Sequence, residues 1–100
     1  MWHKVAKYSD IDEGKAQVIR IEGHEPIALF KFQGKLYALD NSCPHRGGSL
    51  GDGHLDGKEV ICPWHAWSFD ITNGQCSTDA EFKQKLFPLK IENENVFIEV

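Results

Sequence analysis

The sequence predicts an all-β fold, an antiparallel sandwich or small barrel. Short runs rich in β-branched and aromatic residues recur along the chain, and turn signals containing Gly, Pro or Asn separate them roughly every eight to twelve residues. Between about residues 41 and 70, Gly and Pro interrupt this pattern, which indicates loops inserted on the β scaffold. No repeat or linker divides the chain, so residues 1–100 are predicted to form a single domain.

The first half of the chain contains three predicted strands. Residues 18–21 and 27–32 are rich in Ile, Val and Phe, and the Gly-His-Glu-Pro sequence at 23–26 predicts a turn between them. Residues 33–35 then predict a tight hairpin into a third strand at 36–39.

The second half predicts four further strands. They cover residues 58–61, 66–70, 85–91 and 96–100. A turn is predicted at 72–74, where Asn73-Gly74 favours a hairpin, and another connects the last two strands at 92–95. Residues 10–14 and 78–84 are the only candidates for short helical turns.

Two short motifs carry the chemistry of the chain, Cys43-Pro44-His45 and Cys62-Pro63-Trp64-His65. Each offers one thiolate and one imidazole, so together they supply two sulfur and two nitrogen ligands. Such a set suits a [2Fe–2S] cluster in which two Cys bind one iron and two His bind the other.

Residues 43–50 and 62–70 resemble the two ligand loops of Rieske iron–sulfur proteins, and residues 34–39 and 87–91 resemble the flanking strands of that family. The closest resemblance is to the soluble ferredoxins of bacterial ring-hydroxylating dioxygenase systems. It implies a Rieske-type sandwich with an inserted cluster-binding subdomain made of two loops, at about residues 41–70. It also implies one [2Fe–2S] cluster per chain, held by Cys43, His45, Cys62 and His65.

The resemblance further implies a one-electron carrier rather than an enzyme. Such a carrier takes electrons from an NAD(P)H-dependent flavoprotein reductase and passes them to a terminal oxygenase, docking near His45 and His65. The alternative is the small Rieske-fold subunit of an assimilatory NAD(P)H nitrite reductase. A complete Rieske oxygenase is not expected, because nothing follows Val100 to hold a mononuclear iron.

Differences within the family predict a low reduction potential. Respiratory Rieske proteins have an extra Cys in each loop, where this chain has Gly48 and Trp64. They also have a Ser and a Tyr that hydrogen-bond cluster sulfur, where this chain has Trp67 and Phe69. Fewer hydrogen bonds to sulfur leave the reduced state of the cluster less stabilised. This predicts a midpoint reduction potential of roughly −150 to −100 mV.

Composition limits the classes of binding partner and the cellular locations that we expect for this chain. The formal net charge is −4 and no basic run occurs, which argues against nucleic acid and anionic membranes as partners. No apolar run is long enough to cross a membrane, and the first residues lack the apolar segment of a secretory signal. We therefore expect a cytoplasmic monomer.

Other interpretations of the Cys and His residues remain open. Structural zinc also uses two Cys and two His, but its ligand pairs are usually separated by two to four residues, whereas only Pro44 separates Cys43 from His45. Cys76 is interpreted as a structural thiol, with a redox-active or ligand thiol as the alternative. His54 is expected to be an exposed loop residue, with a role in docking or proton coupling as the alternative.

Overall fold

The computed structural model describes residues 1–43, 48–63 and 67–100, and within them it contains nine strands in three antiparallel sheets. The strands are β1 (Trp2–Lys7), β2 (Ala16–Ile19), β3 (Ile27–Phe32), β4 (Lys35–Asp40), β5 (His54–Asp56), β6 (Glu59–Ile61), β7 (Ser68–Asp70), β8 (Leu89–Glu92) and β9 (Asn95–Glu99). Short 3-10 helices cover Tyr8–Asp10 and Leu50–Asp52. The all-β prediction is confirmed. Across the described ranges, no helix has the length and apolar character to cross a membrane.

The three sheets have the strand orders β1-β9-β8, β2-β3-β4 and β5-β6-β7. Two separate hydrophobic cores hold them together. The scaffold core consists of Ile11, Ile19, Ile27, Leu29, Ala38, Phe87, Val96 and Ile98. The cysteine core consists of Ala28, Phe30, Leu39, Cys43, Leu50, Val60, Cys62, Phe69, Ile71 and Cys76.

Strand β3 contributes alternate side chains to the two cores. Ala28 and Phe30 belong to the cysteine core, whereas Ile27 and Leu29 belong to the scaffold core, and all four are fully buried. Side chains alternate between the faces of a strand, so the sheet β2-β3-β4 is covered on both faces. This explains why β3 begins with four consecutive apolar residues, Ile27 to Phe30, and not with an alternating pattern.

The predicted hairpins form where the turn residues indicate them. Only Gln33 and Gly34 separate β3 from β4, and both have positive φ, 51° and 77°. Two central residues with positive φ are typical of the type I′ turn, which matches the twist of paired strands. Glu13 reinforces this turn, because its carboxylate accepts hydrogen bonds from the backbone N–H groups of both turn residues, at 2.6 and 2.9 Å.

The sequence prediction was wrong at several boundaries. Strand β2 ends at Ile19, where the ladder to Ile27 ends, rather than at residue 21. The strand predicted at 85–91 begins at Leu89, after Pro88, which has no N–H to donate. The residues before it instead pair with β4, through a bridge between Leu39 and Leu86.

Other local predictions also failed. Strands β1 and β5 were not predicted, and residues 78–84 are not helical. Residues 75 and 83 form an antiparallel bridge instead. The helical turn expected at 10–14 is replaced by the 3-10 helix at Tyr8–Asp10.

Candidate metal centre

The first ligand loop leaves the scaffold at the end of β4 and is closed at its base by backbone hydrogen bonds. The N–H of Cys43 donates to the carbonyl oxygen of Gly48 at 2.8 Å, and Ser42 pairs with Ser49 in an antiparallel bridge. Cys43 and Gly48, the described residues at the two ends of this loop, are therefore joined to each other. His45, the predicted ligand in this loop, lies outside the described residues.

The second ligand loop is closed in the same way. The N–H of Cys62 donates to the carbonyl oxygen of Trp67 at 2.7 Å, just beyond the β6–β7 pair Ile61 and Ser68. In both loops the bond joins a Cys to the residue five positions later. His65 lies inside this second loop, outside the described residues. The two motifs are thus presented by two loops with equivalent bases.

The structure brings the two predicted Cys ligands into one hydrophobic environment. Cys43 and Cys62 are 2% and 1% exposed, and both belong to the cysteine core. Burial among apolar side chains excludes water from their sulfur atoms, which favours a metal–thiolate bond once a cation compensates the charge. Two buried sulfurs, each beginning a closed loop that contains a His, fit the ligand set of a mixed Cys/His cluster.

Cys76 lies in the same core but in a different local setting. It is 2% exposed, pairs with Phe69 through an antiparallel bridge, and its sulfur accepts a hydrogen bond from the N–H of Asp79 at 3.3 Å. Its neighbours support the interpretation as a structural thiol.

Among the residues that the structure describes, no group of three His, Cys, Asp or Glu side chains is placed to hold a metal ion.

Asn41 supports the base of the first loop through hydrogen bonds, and this role was not predicted from the sequence. Its side-chain amide donates to the hydroxyl oxygen of Ser49 at 2.9 Å, and its side-chain oxygen accepts the N–H of Gly51 at 2.7 Å. Its own carbonyl accepts the N–H of Leu50 at 2.9 Å. Asn41 is buried, so these bonds replace those it would make to water. An Asn between Asp and Ser is typical of a turn, so the local sequence gave no sign of this supporting role.

The described aromatic residues next to the second loop differ in burial. Phe69 is fully buried in the cysteine core, whereas Trp67 is half-buried against it. The Trp67 ring packs against Phe82, with 5.3 Å between ring centroids. Trp64 lies outside the described residues. His54 is exposed, as expected, but it is the first residue of strand β5 and not a loop residue.

One ion pair stabilises the sheet that carries the second loop. The Lys58 Nζ lies 3.3 Å from a carboxylate oxygen of Asp70, the last residue of β7. Burial raises the pKa of Asp70, but hydrogen bonds from the hydroxyl and N–H of Thr72, together with Lys58, outweigh it and lower that pKa below its usual value. The carboxylate is therefore held in its charged form at the end of β7.

Comparison with known proteins identifies close relatives. Residues 1–90 match the family model described as the Rieske [2Fe-2S] domain. The ferredoxin component of a naphthalene 1,2-dioxygenase system from Pseudomonas putida is 38% identical over 101 residues, covering 99% of this chain and 95% of the relative.

Solved structures show the same fold. A chain in the complex of reduced oxygenase and oxidized ferredoxin in carbazole 1,9a-dioxygenase superposes with a TM-score of 0.91 at 28% identity, covering 97% of this chain and 91% of that one. A structure described as the small subunit of an NADH-dependent nitrite reductase from Mycobacterium tuberculosis gives a TM-score of 0.89 at 18% identity, covering 98% and 93%. The second likeness, at this identity, shows the fold alone.

Proposed function

The chain belongs to the Rieske [2Fe–2S] domain family, and from this membership we propose that it carries single electrons from an NAD(P)H-dependent flavoprotein reductase to a terminal oxygenase. The domain of this family binds one [2Fe–2S] cluster, and the relatives are named as ferredoxin components rather than catalysts. The observation that carries the proposal is the pair of buried cysteines, each at the base of an equivalently closed loop.

We propose that Cys43 and Cys62 bind one iron and that His45 and His65 bind the other. When bound, the cluster accepts and releases one electron at a time. The burial of both cysteine side chains supports this assignment, because buried thiolates need a compensating cation. The spacing of the motifs places one His inside each loop, between the two residues whose backbone bond closes it.

The rest of the chain would hold these ligands in a fixed arrangement. The hydrogen bonds at the bases of the two loops restrict the backbone next to each Cys. The cysteine core excludes water from the sulfur side of the site, and its close packing limits movement when the charge of the site changes. A ligand frame that moves little between oxidation states favours fast electron transfer.

The partners are inferred from the relatives. The carbazole 1,9a-dioxygenase structure contains a ferredoxin together with an oxygenase, and the naphthalene relative is part of a dioxygenase system. These names support a terminal oxygenase as the acceptor. We propose that it docks near His45 and His65. The likeness to a nitrite reductase subunit is at lower identity, so the role as an independent carrier is better supported.

We further infer that residues 1–100 act as one soluble, cytoplasmic, monomeric domain. A reductive titration of the purified protein, combined with size-exclusion chromatography, tests the proposal. We expect reversible uptake of one electron per chain and elution as a monomer. Failure to take up an electron would contradict the carrier role. Stable association with a large sirohaem-containing protein would favour the nitrite reductase alternative.

A further inference from the structure

Gln84 is a buried polar residue that is distant in sequence from both ligand loops. It is 6% exposed, and its side-chain nitrogen donates to the carbonyl oxygens of Asp40 at 2.7 Å and Ser42 at 2.8 Å. A carboxamide has two N–H hydrogens, so both are used on these two carbonyls. The two carbonyls belong to the segment that leads directly into Cys43.

These bonds form at the point where the first loop leaves the sheet. The β3–β4 ladder ends at the pair Ile27 and Asp40, so Ser42 lies beyond the last ladder pair. The Gln84 amide supplies a partner for its carbonyl in place of a neighbouring strand. The N–H of Asp40 donates to the carbonyl of Lys85 at 2.9 Å, which adds a backbone bond to the same junction.

The backbone of Gln84 is attached to the turn that follows β7. Its N–H donates to the carbonyl oxygen of Gly74 at 2.7 Å. Gly74 has a φ of 80°, and a Cβ there would collide with the Gln84 carbonyl oxygen, so this close approach requires glycine. Strand β7 leaves the second ligand loop. Gln84 therefore connects the entry of the first loop with the segment leaving the second.

We propose that Gln84 is a positioning residue that fixes Cys43 relative to Cys62 by tying the backbone before Cys43 to the turn after β7. The inference rests on the proposed function, because it assigns Gln84 a role towards the cluster that those two cysteines bind. Residues that orient metal ligands through such bonds commonly affect how firmly the metal is held. Nothing in the local sequence around Gln84 marks it for this role.

Gln75 provides a matched control on the same segment. Its side-chain nitrogen lies within hydrogen-bond distance of the backbone carbonyls of Cys76, Ala80 and Phe82, at 3.4, 3.1 and 3.0 Å, all in the segment that follows Gln75. Replacing Gln75 removes the same type of bond without detaching the backbone before Cys43. A purely structural role for Gln84 predicts similar behaviour of the two variants.

The test compares the cluster-loaded wild type with Q84A, the isosteric Q84E, and Q75A. The readouts are the rate at which EDTA bleaches the visible absorbance, the EPR spectrum after dithionite reduction, and the thermal unfolding midpoint. We expect both Gln84 variants to lose the cluster at least about tenfold faster than the wild type. Their EPR spectra should show shifted g values or broadened lines. Q75A should lower the unfolding midpoint while keeping the wild-type spectrum and bleaching rate.

The outcomes separate the two proposals. A wild type that shows no iron–sulfur signal overturns the proposed function. A wild type with the signal, together with Gln84 variants that match Q75A in bleaching rate and spectrum, overturns only the role of Gln84.

A measurement on the oxidised wild type covers the case in which the Gln84 variants do not fold. The side-chain NH2 protons of Gln84 should exchange with D2O far more slowly than those of Gln33, which is exposed. Equally fast exchange would overturn the proposal.

Discussion

The two cores on opposite faces of the sheet β2-β3-β4 differ in how they are covered. The scaffold core is closed by β1, β8 and β9, whose ladders contain four to five residue pairs each. The cysteine core is covered by β5, β6 and β7, which have only three residues each. Short strands supply few ladder bonds, so the cysteine core depends more on polar side-chain braces and on bound metal. We therefore expect the scaffold to keep its fold without the cluster and the loop-bearing part to lose its geometry.

The largest expected effect comes from removing one of three equally buried thiols. C62A should yield protein without bound iron and with a lower unfolding midpoint, because one of the four proposed ligands is lost. C76A removes a thiol of the same core that is not a proposed ligand, so it should retain the full iron content. Iron analysis and thermal unfolding of both variants check this. Complete loss of iron from C76A, or full retention by C62A, would contradict the ligand assignment.

Two fully buried leucines on opposite faces of the same sheet allow the scaffold core and the cysteine core to be compared directly. Leu29 belongs to the scaffold core and Leu39 to the cysteine core. L29A and L39A should each lower the free energy of unfolding by about 2–5 kcal/mol, since both leave a cavity. Only L39A should also accelerate cluster loss to a chelator. Faster loss from L29A than from L39A would show that the two cores are not independent.

A smaller effect is expected when a hydroxyl is added near the proposed cluster. Phe69 occupies the position at which, by resemblance, respiratory Rieske proteins have a Tyr that hydrogen-bonds sulfur. F69Y should raise the midpoint potential by about 40 mV, if one net hydrogen bond of about 1 kcal/mol favours the reduced state. F97Y adds the same hydroxyl to β9 and should leave the potential unchanged. An equal shift in both variants would rule out a local effect.

The smallest expected effect concerns the ion pair at the end of β7. The lowered pKa of Asp70 means that its contribution to stability is full above the unfolded carboxyl pKa of about 3.9 and is lost as the pH falls through the lower folded value. D70N should therefore destabilise the protein by about 1 kcal/mol or less at pH 7 and by progressively less as acid is added.

The control for this prediction is D56N, at the exposed end of β5. Urea unfolding midpoints between pH 7 and pH 3 measure both variants against the wild type. A destabilisation by D70N that does not change with pH would assign its effect to packing rather than to charge.

Local sequence was sufficient to predict the parts of the fold that local interactions determine. Strand β3 was predicted with its observed limits, because an apolar run interrupted only by Lys31 ends at a Gln-Gly turn. Strand β1 was missed because its partner is β9, so that Trp2 pairs with Glu99 at the other end of the chain. No pattern within residues 2–7 reports such a distant pairing.

The candidate site shows the same division. The Cys-x-His and Cys-x-x-His motifs identified Cys43 and Cys62, and the structure places both in one core. Asn41 and Gln84, which brace the first loop, have no motif. Their roles depend on carbonyls and N–H groups that only the folded chain brings within reach, across 42 and 44 residues in the case of Gln84. Sequence patterns point to candidate ligands more readily than to the residues that hold them in place.

The most direct test of the central claim is EPR of the purified protein after dithionite reduction, with iron and zinc analysis of the same sample. A [2Fe–2S] cluster bound by Cys43, Cys62, His45 and His65 predicts a rhombic signal with an average g below the free-electron value, and about two irons per chain. A silent spectrum with about one zinc per chain would show a structural metal site and contradict the electron-carrier role.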